Sequence, residues 1–171
     1  MDSSDVRLRV FKYLRYKRQC GIVVFERGLW SSDKPDILAV TKSDYLIEVE
    51  IKVTLADYRA DQSKYKWRIQ ERCPLPVGGQ TRNRRFYYAA PTELAEKIMP
   101  ELRPGCGLMA VSDSGYDPVW CRVPAPINKG AQKLTPAQIA ELVRHQTGTL
   151  ASALTEIESL KKRLAEAKAQ P

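Results

Sequence analysis

Two short groups of charged residues carry the chemistry that this sequence suggests. Asp36 follows Pro35, and further along the chain Glu50 and Lys52 flank Ile51. Two carboxylates and one ammonium at a single point suit a divalent cation bound beside a phosphodiester, because Mg²⁺ takes carboxylate oxygens and neutralises charge on the phosphate. The lysine adds a point charge beside an attacking water. These residue types therefore indicate phosphodiester hydrolysis, provided that the fold brings them together.

The segment from Tyr45 to Val53 predicts a β-strand whose two faces differ in chemistry. Its charged side chains share one face: Glu48, Glu50 and Lys52. Its branched side chains share the other face and are expected in the core: Val49, Ile51 and Val53. Buried charges are costly unless they are paired or bind a metal, so a central strand of this kind predicts a site. The alternative is an antiparallel strand with one solvated face, and the composition leaves it open.

A second strand is predicted just before this one, over residues 34–41, with Pro35 at its first position, where a missing N–H matters least. Ser43 and Asp44 form the turn between the two strands. A hairpin of this length would bring Asp36 beside Glu50. The two carboxylates are therefore expected to meet at one end of the sheet.

A helix is predicted directly after Lys52, because Thr54 and Asp57 form a capping pair. It is expected to run to about Arg72, with Leu55, Tyr58, Gln62, Tyr65 and Ile69 along its inward stripe. Gln62 is a polar residue in the middle of that stripe and needs a partner inside. The candidate site is the nearest place to find one.

These residues resemble the signature of the restriction-endonuclease-like PD-(D/E)xK nuclease superfamily, here Pro35-Asp36 and Glu50-Ile51-Lys52. The resemblance covers about residues 1–125 and implies an α/β fold: an αβββαβ core around a mixed central sheet. Within the superfamily, the chain looks closest to small phage or prophage proteins and to RecB-type or resolvase-type nucleases.

The resemblance also implies roles for individual residues. Asp36 and Glu50 would bind Mg²⁺ or Mn²⁺ with the carbonyl of Ile51, and Lys52 would orient or polarise the attacking water. Members often carry one more acid, for which Glu26 is the choice here and Asp5 the alternative. RecB-type members place a Gln and a Tyr on the helix after the lysine, and Gln62 and Tyr65 match in type at a spacing one residue short. Glu48 departs from the pattern, as an extra ligand or as a partner of Lys52.

The formal charge of +8 and a pI near 9.4 favour a polyanionic partner, nucleic acid first and an anionic membrane second. A basic protein without such a partner is the alternative. Eight basic residues against two acidic ones lie between Arg59 and Arg85. The expected nucleic-acid contacts are Arg59, Lys66, Arg82, Arg84 and Arg85. DNA is the predicted substrate, RNA is not excluded, and no membrane partner is expected.

The cysteine pattern and the N-terminus bear on location. Four cysteines without CxxC spacing and a single histidine argue against a structural zinc site and suit reduced thiols. The N-terminus is charged where a signal peptide would be apolar, and no run reaches transmembrane length. A cytoplasmic protein, bacterial or phage-encoded, is expected.

Three parts are predicted along the chain: a nuclease-like domain over 1–126, a linker over 127–134 and a helical tail over 135–171. The tail carries apolar residues at alternating steps of four and three, which is the seam of a coiled coil. The seam residues are Ile139, Val143, Gln146, Leu150, Ala153, Ile157, Leu160, Leu164 and Ala167. Self-association through the tail is expected, the alternative being a helix folded back on the domain, and Gly148 is expected to bend or break it.

The remaining pattern predicts the rest of an αβββαβ(αββ) order. Helices are expected over 5–18, capped by Ser3 or Ser4, and over 92–99. Strands are expected over 22–26 and 86–90, followed by a hairpin of 108–111 with 119–123. The leading expectation is a metal-dependent DNA endonuclease or exonuclease. A catalytically silent nucleic-acid-binding module and a coiled-coil adaptor, such as a phage factor that binds a host enzyme, are the alternatives.

Overall fold

A computed structural model describes residues 1–26, 34–63, 83–113, 115 and 117–169, without the side chains of Asn83, Arg84 and Ala169. Its contacts divide the chain into two compact units, Met1–Leu134 and Thr135–Pro171. The first unit holds a mixed sheet with helices, and the second is one long helix. No helix among the described residues is both long enough and apolar enough to cross a membrane.

The six strands of the first unit lie side by side in chain order. They are β1 (Ile22–Phe25), β2 (Ile37–Val40), β3 (Leu46–Ile51), β4 (Asn83–Pro91), β5 (Gly107–Val111) and β6 (Val119–Val123). The first three form an antiparallel meander, β3, β4 and β5 are parallel, and β6 returns antiparallel to β5. The predicted α/β class and the predicted strands are confirmed, with ends that differ by a few residues.

Among the described residues, three helices flank the sheet: α1 (Ser3–Lys12), α2 (Leu55–Gln62) and α3 (Thr92–Ile98). A π-helical turn over Tyr13–Lys17 continues α1, and a 3₁₀ turn over Met99–Glu101 follows α3. The predicted cap of α1 was wrong by one residue, because Asp2 is the N-cap and forms a reciprocal capping box with Asp5. Thr54 caps α2 as predicted, since its side chain accepts the Asp57 N–H.

Each face of the sheet buries its own apolar cluster. One face packs on α1, with Val49 and Ile51 of β3 in that cluster. The other face packs on α2 and α3, with Tyr58 and Tyr88 in that cluster. Glu50 alternates with Val49 and Ile51 and so lies on the opposite face from them, as predicted. That face is the one that α2 covers. Val53 was predicted in the core and is instead 37% exposed, because β3 ends at Ile51.

The segment 127–134 was predicted to be a linker, and the structure places it in the first unit. The backbone N–H of Leu134 donates to the carbonyl of Asp44 at 2.8 Å. Ala131 and Leu134 are buried. The first unit therefore ends at Leu134, eight residues past the predicted domain boundary at residue 126.

The second unit is the helix α4 (Pro136–Ala169), which runs without interruption through Gly148. The predicted break there was wrong: a single glycine costs about 1 kcal/mol, which a helix of this length tolerates. Thr135 and Gln138 form a capping box at its start, with Gln138 Oε1 accepting the Thr135 N–H at 2.9 Å. Its exposed large apolar residues include Val143, Leu150, Leu154, Ile157, Leu160 and Leu164.

Candidate functional site

The hairpin of β2 and β3 brings Asp36 and Glu50 to the same level of the sheet. Ile37 pairs with Val49, so the same register continued by one residue sets Asp36 opposite Glu50. The Ile51 backbone N–H donates to Asp36 Oδ2 at 2.7 Å, which fixes the carboxylate across the strands. The prediction that this hairpin places Asp36 beside Glu50 agrees with that register. Side chains directly opposite in an antiparallel pair have Cβ atoms about 5 Å apart.

Lys52 follows the last residue of β3, and its ammonium group lies among several carboxylates. Its backbone N–H donates to the Ala89 carbonyl at 2.9 Å, so the chain still follows β4 here. Its Nζ lies 3.8 Å from Glu50 Oε2, 3.6 Å from Asp57 Oδ1 and 3.4 Å from Asp61 Oδ1. The Lys52 side chain is only 4% exposed. This end of the sheet therefore holds a buried ammonium beside Glu50, one of the two predicted metal-binding carboxylates.

Burial separates this site from the rest of the described chain. The buried charged residues among those described are Glu50, Lys52 and Asp61. A buried charge costs several kcal/mol unless it is paired, so concentrating three of them at one place needs a functional or structural reason. The solvated-face alternative for β3 does not hold at Glu50 and Lys52, because both side chains are covered.

Asp61 was missed in the sequence. It lies on the inner face of α2, three residues after Tyr58, and its Oδ2 accepts the Tyr88 hydroxyl at 2.8 Å. Burial, the charge of Asp61 and this hydrogen bond raise the pKa of Tyr88 far above its ordinary value, so the phenol remains a donor. The inward stripe of a helix can continue from Tyr58 to the third residue, Asp61, or to the fourth, Gln62. Gln62 was predicted to face inward, and the structure buries Asp61. Gln62 is half-buried at the end of α2.

Glu26 lies beside Asp36 on the outer side of the site. Its backbone N–H donates to the Asp36 carbonyl at 3.3 Å, just after β1 ends. Arg7 of α1 joins the two acids, with NH1 2.8 Å from Glu26 Oε1 and NH2 3.9 Å from Asp36 Oδ1. The Glu26 side chain is 60% exposed. Asp5, the alternative acid, has its carboxylate in the capping box of α1.

The predicted nucleic-acid contacts are only partly within the described residues. Arg59 makes a two-pronged ion pair with Glu101, at 2.9 and 2.5 Å, which lowers the pKa of that carboxyl. Arg85 donates to the Ala125 carbonyl at 2.6 Å. Lys66, Arg82 and the Arg84 side chain lie outside the described part, as do Tyr65, Ile69 and the predicted continuation of α2 to Arg72.

The residue types at this end of the sheet are those that bind a small divalent cation. Asp36, Glu50 and the Ile51 carbonyl offer oxygen ligands, which Mg²⁺ and Mn²⁺ prefer. Mg²⁺ keeps several waters and commonly needs only one or two protein carboxylates. Within the described residues, no three Asp, Glu, His or Cys side chains gather as a possible metal-holding group.

Comparison with known proteins adds the fold alone. No family model and no curated protein matches the chain. Among solved structures, the chain is similar to the SPO1766 protein of unknown function from Silicibacter pomeroyi, with a TM-score of 0.58 and 20% sequence identity. The match covers 94% of each chain.

Proposed function

We propose that this protein is a metal-dependent nuclease that hydrolyses phosphodiester bonds in DNA. One observation carries the proposal: Asp36 stands opposite Glu50, and Lys52 Nζ lies 3.8 Å from Glu50 Oε2. The Ile51 backbone N–H holds the Asp36 carboxylate there through a 2.7 Å hydrogen bond to Oδ2. These are the residues through which the sequence resembles the PD-(D/E)xK signature. The position of Asp36 opposite Glu50, and of Lys52 beside Glu50, supports the proposal.

The order of elements supports the same proposal. In the described part of the first 91 residues, a helix is followed by an antiparallel meander of three strands, a second helix and a fourth strand parallel to the third. This is the αβββαβ order that the resemblance implies for a restriction-endonuclease-like core. The site lies where β2 begins and β3 ends, and Asp57 and Asp61 of α2 approach it from the helix side.

The roles follow from charge and position. Asp36, Glu50 and the Ile51 carbonyl would hold Mg²⁺ or Mn²⁺, and such an ion, when bound, activates a water and neutralises charge on the phosphate. Hydrolysis adds a water oxygen to phosphorus and breaks a P–O bond. Lys52 carries three N–H donors and no acceptor, so it orients the water and a phosphate oxygen rather than accepting a proton. Glu50 and Asp61 hold its ammonium on that side of the site.

DNA is proposed as the substrate because the chain carries a net charge of +8 and phosphates dominate nucleic-acid affinity. RNA is a variant of the same proposal. We place the protein in the cytoplasm, encoded by a bacterium or a phage. Glu26 forms an ion pair with Arg7 beside Asp36, and we propose it as an auxiliary acid of the site. We propose Gln62 as a further polar residue of the site.

The test is cleavage of a matched substrate panel. Supercoiled plasmid, linear duplex, single-stranded DNA and single-stranded RNA of one sequence are incubated with Mg²⁺, Mn²⁺, Ca²⁺ or EDTA. We expect cleavage of at least one DNA with Mg²⁺ or Mn²⁺ and none with EDTA. Binding to DNA without cleavage under every condition would reject the nuclease and favour the silent nucleic-acid-binding module. Neither binding nor cleavage, together with a co-purified host protein, would favour the adaptor.

We also propose that α4 associates with a second copy of this chain. Its seam keeps steps of four and three from Ile139 to Ala167, and Leu150, Ile157 and Leu164 on it are each at least 47% exposed. Such a seam is self-complementary, because knobs of one helix fit holes of an identical one. Large apolar residues on successive turns gain free energy when a partner covers them.

A further inference from the structure

Asp61 sits at the centre of a buried network that joins three elements. Its side chain is fully covered, with Oδ1 3.4 Å from Lys52 Nζ and Oδ2 accepting the Tyr88 hydroxyl at 2.8 Å. Lys52 follows β3, Asp61 belongs to α2, and Tyr88 belongs to β4, where it pairs with Glu50. The network therefore links the helix to the strand end that carries the proposed chemistry.

Both oxygens of this carboxylate have identified partners of different kinds. One faces an ammonium, and the other takes a hydrogen bond from a phenol that is itself buried and packed edge-on against Tyr58, with ring centroids 5.0 Å apart. The Tyr58 hydroxyl in turn donates to the Glu101 carbonyl at 2.8 Å. Asp61 thus has a fixed position, since rigid aromatic side chains hold the group that orients it.

Three carboxylates of the described residues approach Lys52 Nζ, and they differ in exposure. The side chain of Asp57 is 50% exposed, that of Glu50 is 8% exposed, and that of Asp61 is 0% exposed. Water screens a charge pair that it can reach, so Asp57 contributes little. Glu50 is a proposed cation ligand. Asp61 remains as the buried acid whose role toward Lys52 is independent of the cation.

We infer that Asp61 is a positioning residue that, with Tyr88, holds the Lys52 ammonium at the site of hydrolysis. This rests on the proposed function, because it gives Lys52 its role. Without the negative charge of Asp61, the ammonium loses its closest carboxylate and settles toward Glu50 or Asp57. Lys52 is then misplaced relative to the water and the phosphate. The expected loss is in the chemical step and not in DNA binding, since the two Asp61 oxygens face Lys52 and Tyr88 rather than the substrate.

The experiment compares Asp61→Asn with Asp57→Asn in the full chain. The two acids lie one turn apart on α2 and flank the same Nζ, so they form a matched pair that differs in burial. Asp61→Asn should lower kcat about 10- to 100-fold, the range seen when a supporting partner of a site is removed. KM and the Kd for DNA should stay unchanged. Asp57→Asn should leave kcat close to that of the wild type.

A second readout does not depend on activity. Side-chain ¹H–¹⁵N spectra detect an ammonium that is held in a covered ion pair, and the Lys52 signal is assigned as the one lost in Lys52→Met. Asp61→Asn should shift or broaden that signal strongly, and Asp57→Asn only slightly. If Asp61→Asn does not fold, Tyr88→Phe takes its place, because it removes the hydrogen bond to Asp61 and keeps the charge.

The outcomes separate the two proposals. A wild-type protein that never cleaves defeats the proposed nuclease, while the Lys52 signal still reports whether Asp61 holds the ammonium. A wild type that cleaves, with kcat and the Lys52 signal unchanged in folded Asp61→Asn, overturns the positioning role. The same result in Tyr88→Phe overturns it when Asp61→Asn is unfolded. A fall in affinity with kcat unchanged would also overturn it.

Discussion

The backbone N–H of Ile51 donates to Asp36 Oδ2 at 2.7 Å, so a side chain at the start of β2 is held by the backbone at the end of β3. A hydrogen bond to an ionised acceptor is among the stronger ones, and here it also sets the direction of the carboxylate. It places Asp36 across from Glu50. The sheet itself therefore orients one of the two proposed carboxylate ligands.

Removing any of the three signature side chains should abolish cleavage. We expect Asp36→Asn, Glu50→Gln and Lys52→Met each to lower kcat about 100-fold or more. The first two each remove the charge of a proposed cation ligand, and the third removes the ammonium that acts on the water and the phosphate. DNA affinity, measured by fluorescence anisotropy, should change little. Asp44→Asn, in the turn at the opposite end of β3, is the control and should cleave normally.

Lys52→Met also leaves the buried Asp61 carboxylate without the Lys52 ammonium, which should lower the free energy of unfolding by about 3–5 kcal/mol. Urea unfolding of each variant therefore accompanies the kinetics. The double variant Lys52→Met with Asp61→Asn should recover part of that free energy of unfolding without recovering cleavage. Full cleavage by all three single variants would remove the basis for this site.

Alkaline pH should destabilise the protein through Tyr88. Burial and the neighbouring Asp61 raise the pKa of this phenol in the folded state above its ordinary value of about 10. A raised folded pKa means that the stabilisation is complete below the ordinary value and is lost as the pH rises above it, when the unfolded phenol ionises first.

A phenol whose pKa is raised in the folded state lowers the free energy of unfolding by about 1.4 kcal/mol for each pH unit above its ordinary pKa. Urea unfolding between pH 8 and about 11 should show a shallower fall in Tyr88→Phe than in the wild type. Tyr16→Phe, at a side chain that is 71% exposed, should keep the wild-type slope. Equal slopes in the wild type and Tyr88→Phe would contradict the buried Tyr88–Asp61 pair.

Gly107 should tolerate no side chain. A Cβ at this position would meet the ring of Tyr87 and lie 2.6 Å from the Ala125 backbone nitrogen, so the strand would have to shift. We expect Gly107→Ala to lower the free energy of unfolding by about 1–3 kcal/mol, as overpacking does. Gly21→Ala is the matched control, because nothing lies within 4 Å of the Cβ there. Equal stability of the two variants would show that this close approach is absent.

Self-association through α4 should fail when its seam is charged. Ile157→Glu places a carboxylate among the apolar layers, whereas Ser159→Glu puts the same charge on an exposed position off the seam. Sedimentation equilibrium at micromolar concentrations should show an oligomer for the wild type and Ser159→Glu, and a lower mass for Ile157→Glu. A monomeric wild type would end the proposal that α4 binds a second copy.

Much of the site follows from local rules that the sequence already contains. The alternation along β3 places Glu50 and Lys52 on one face, because successive side chains on a strand point to opposite sides. The Ser43-Asp44 turn and the hairpin it closes place Asp36 opposite Glu50. The Thr54 cap starts α2 where predicted. Each of these depends on residues close together in the chain, so one sequence is enough to predict them.

Local rules failed where several choices were equally good. Asp2, Ser3 and Ser4 all suit a helix cap, and the reciprocal bond with Asp5 selects Asp2. Gly148 weakens a helix locally, yet α4 continues through it because the loss at one residue is small beside the length of the element.

Only the tertiary structure decided which charged groups are buried and which of them meet. Asp61 and Gln62 are adjacent on α2, and either could have faced the sheet. The choice of Asp61 depends on where Tyr88 lies on β4, twenty-seven residues along the chain. The covering of Lys52 likewise requires α2 to pack over the end of β3. Contacts of this kind arise from the packing of whole elements, and no spacing within a single segment encodes them.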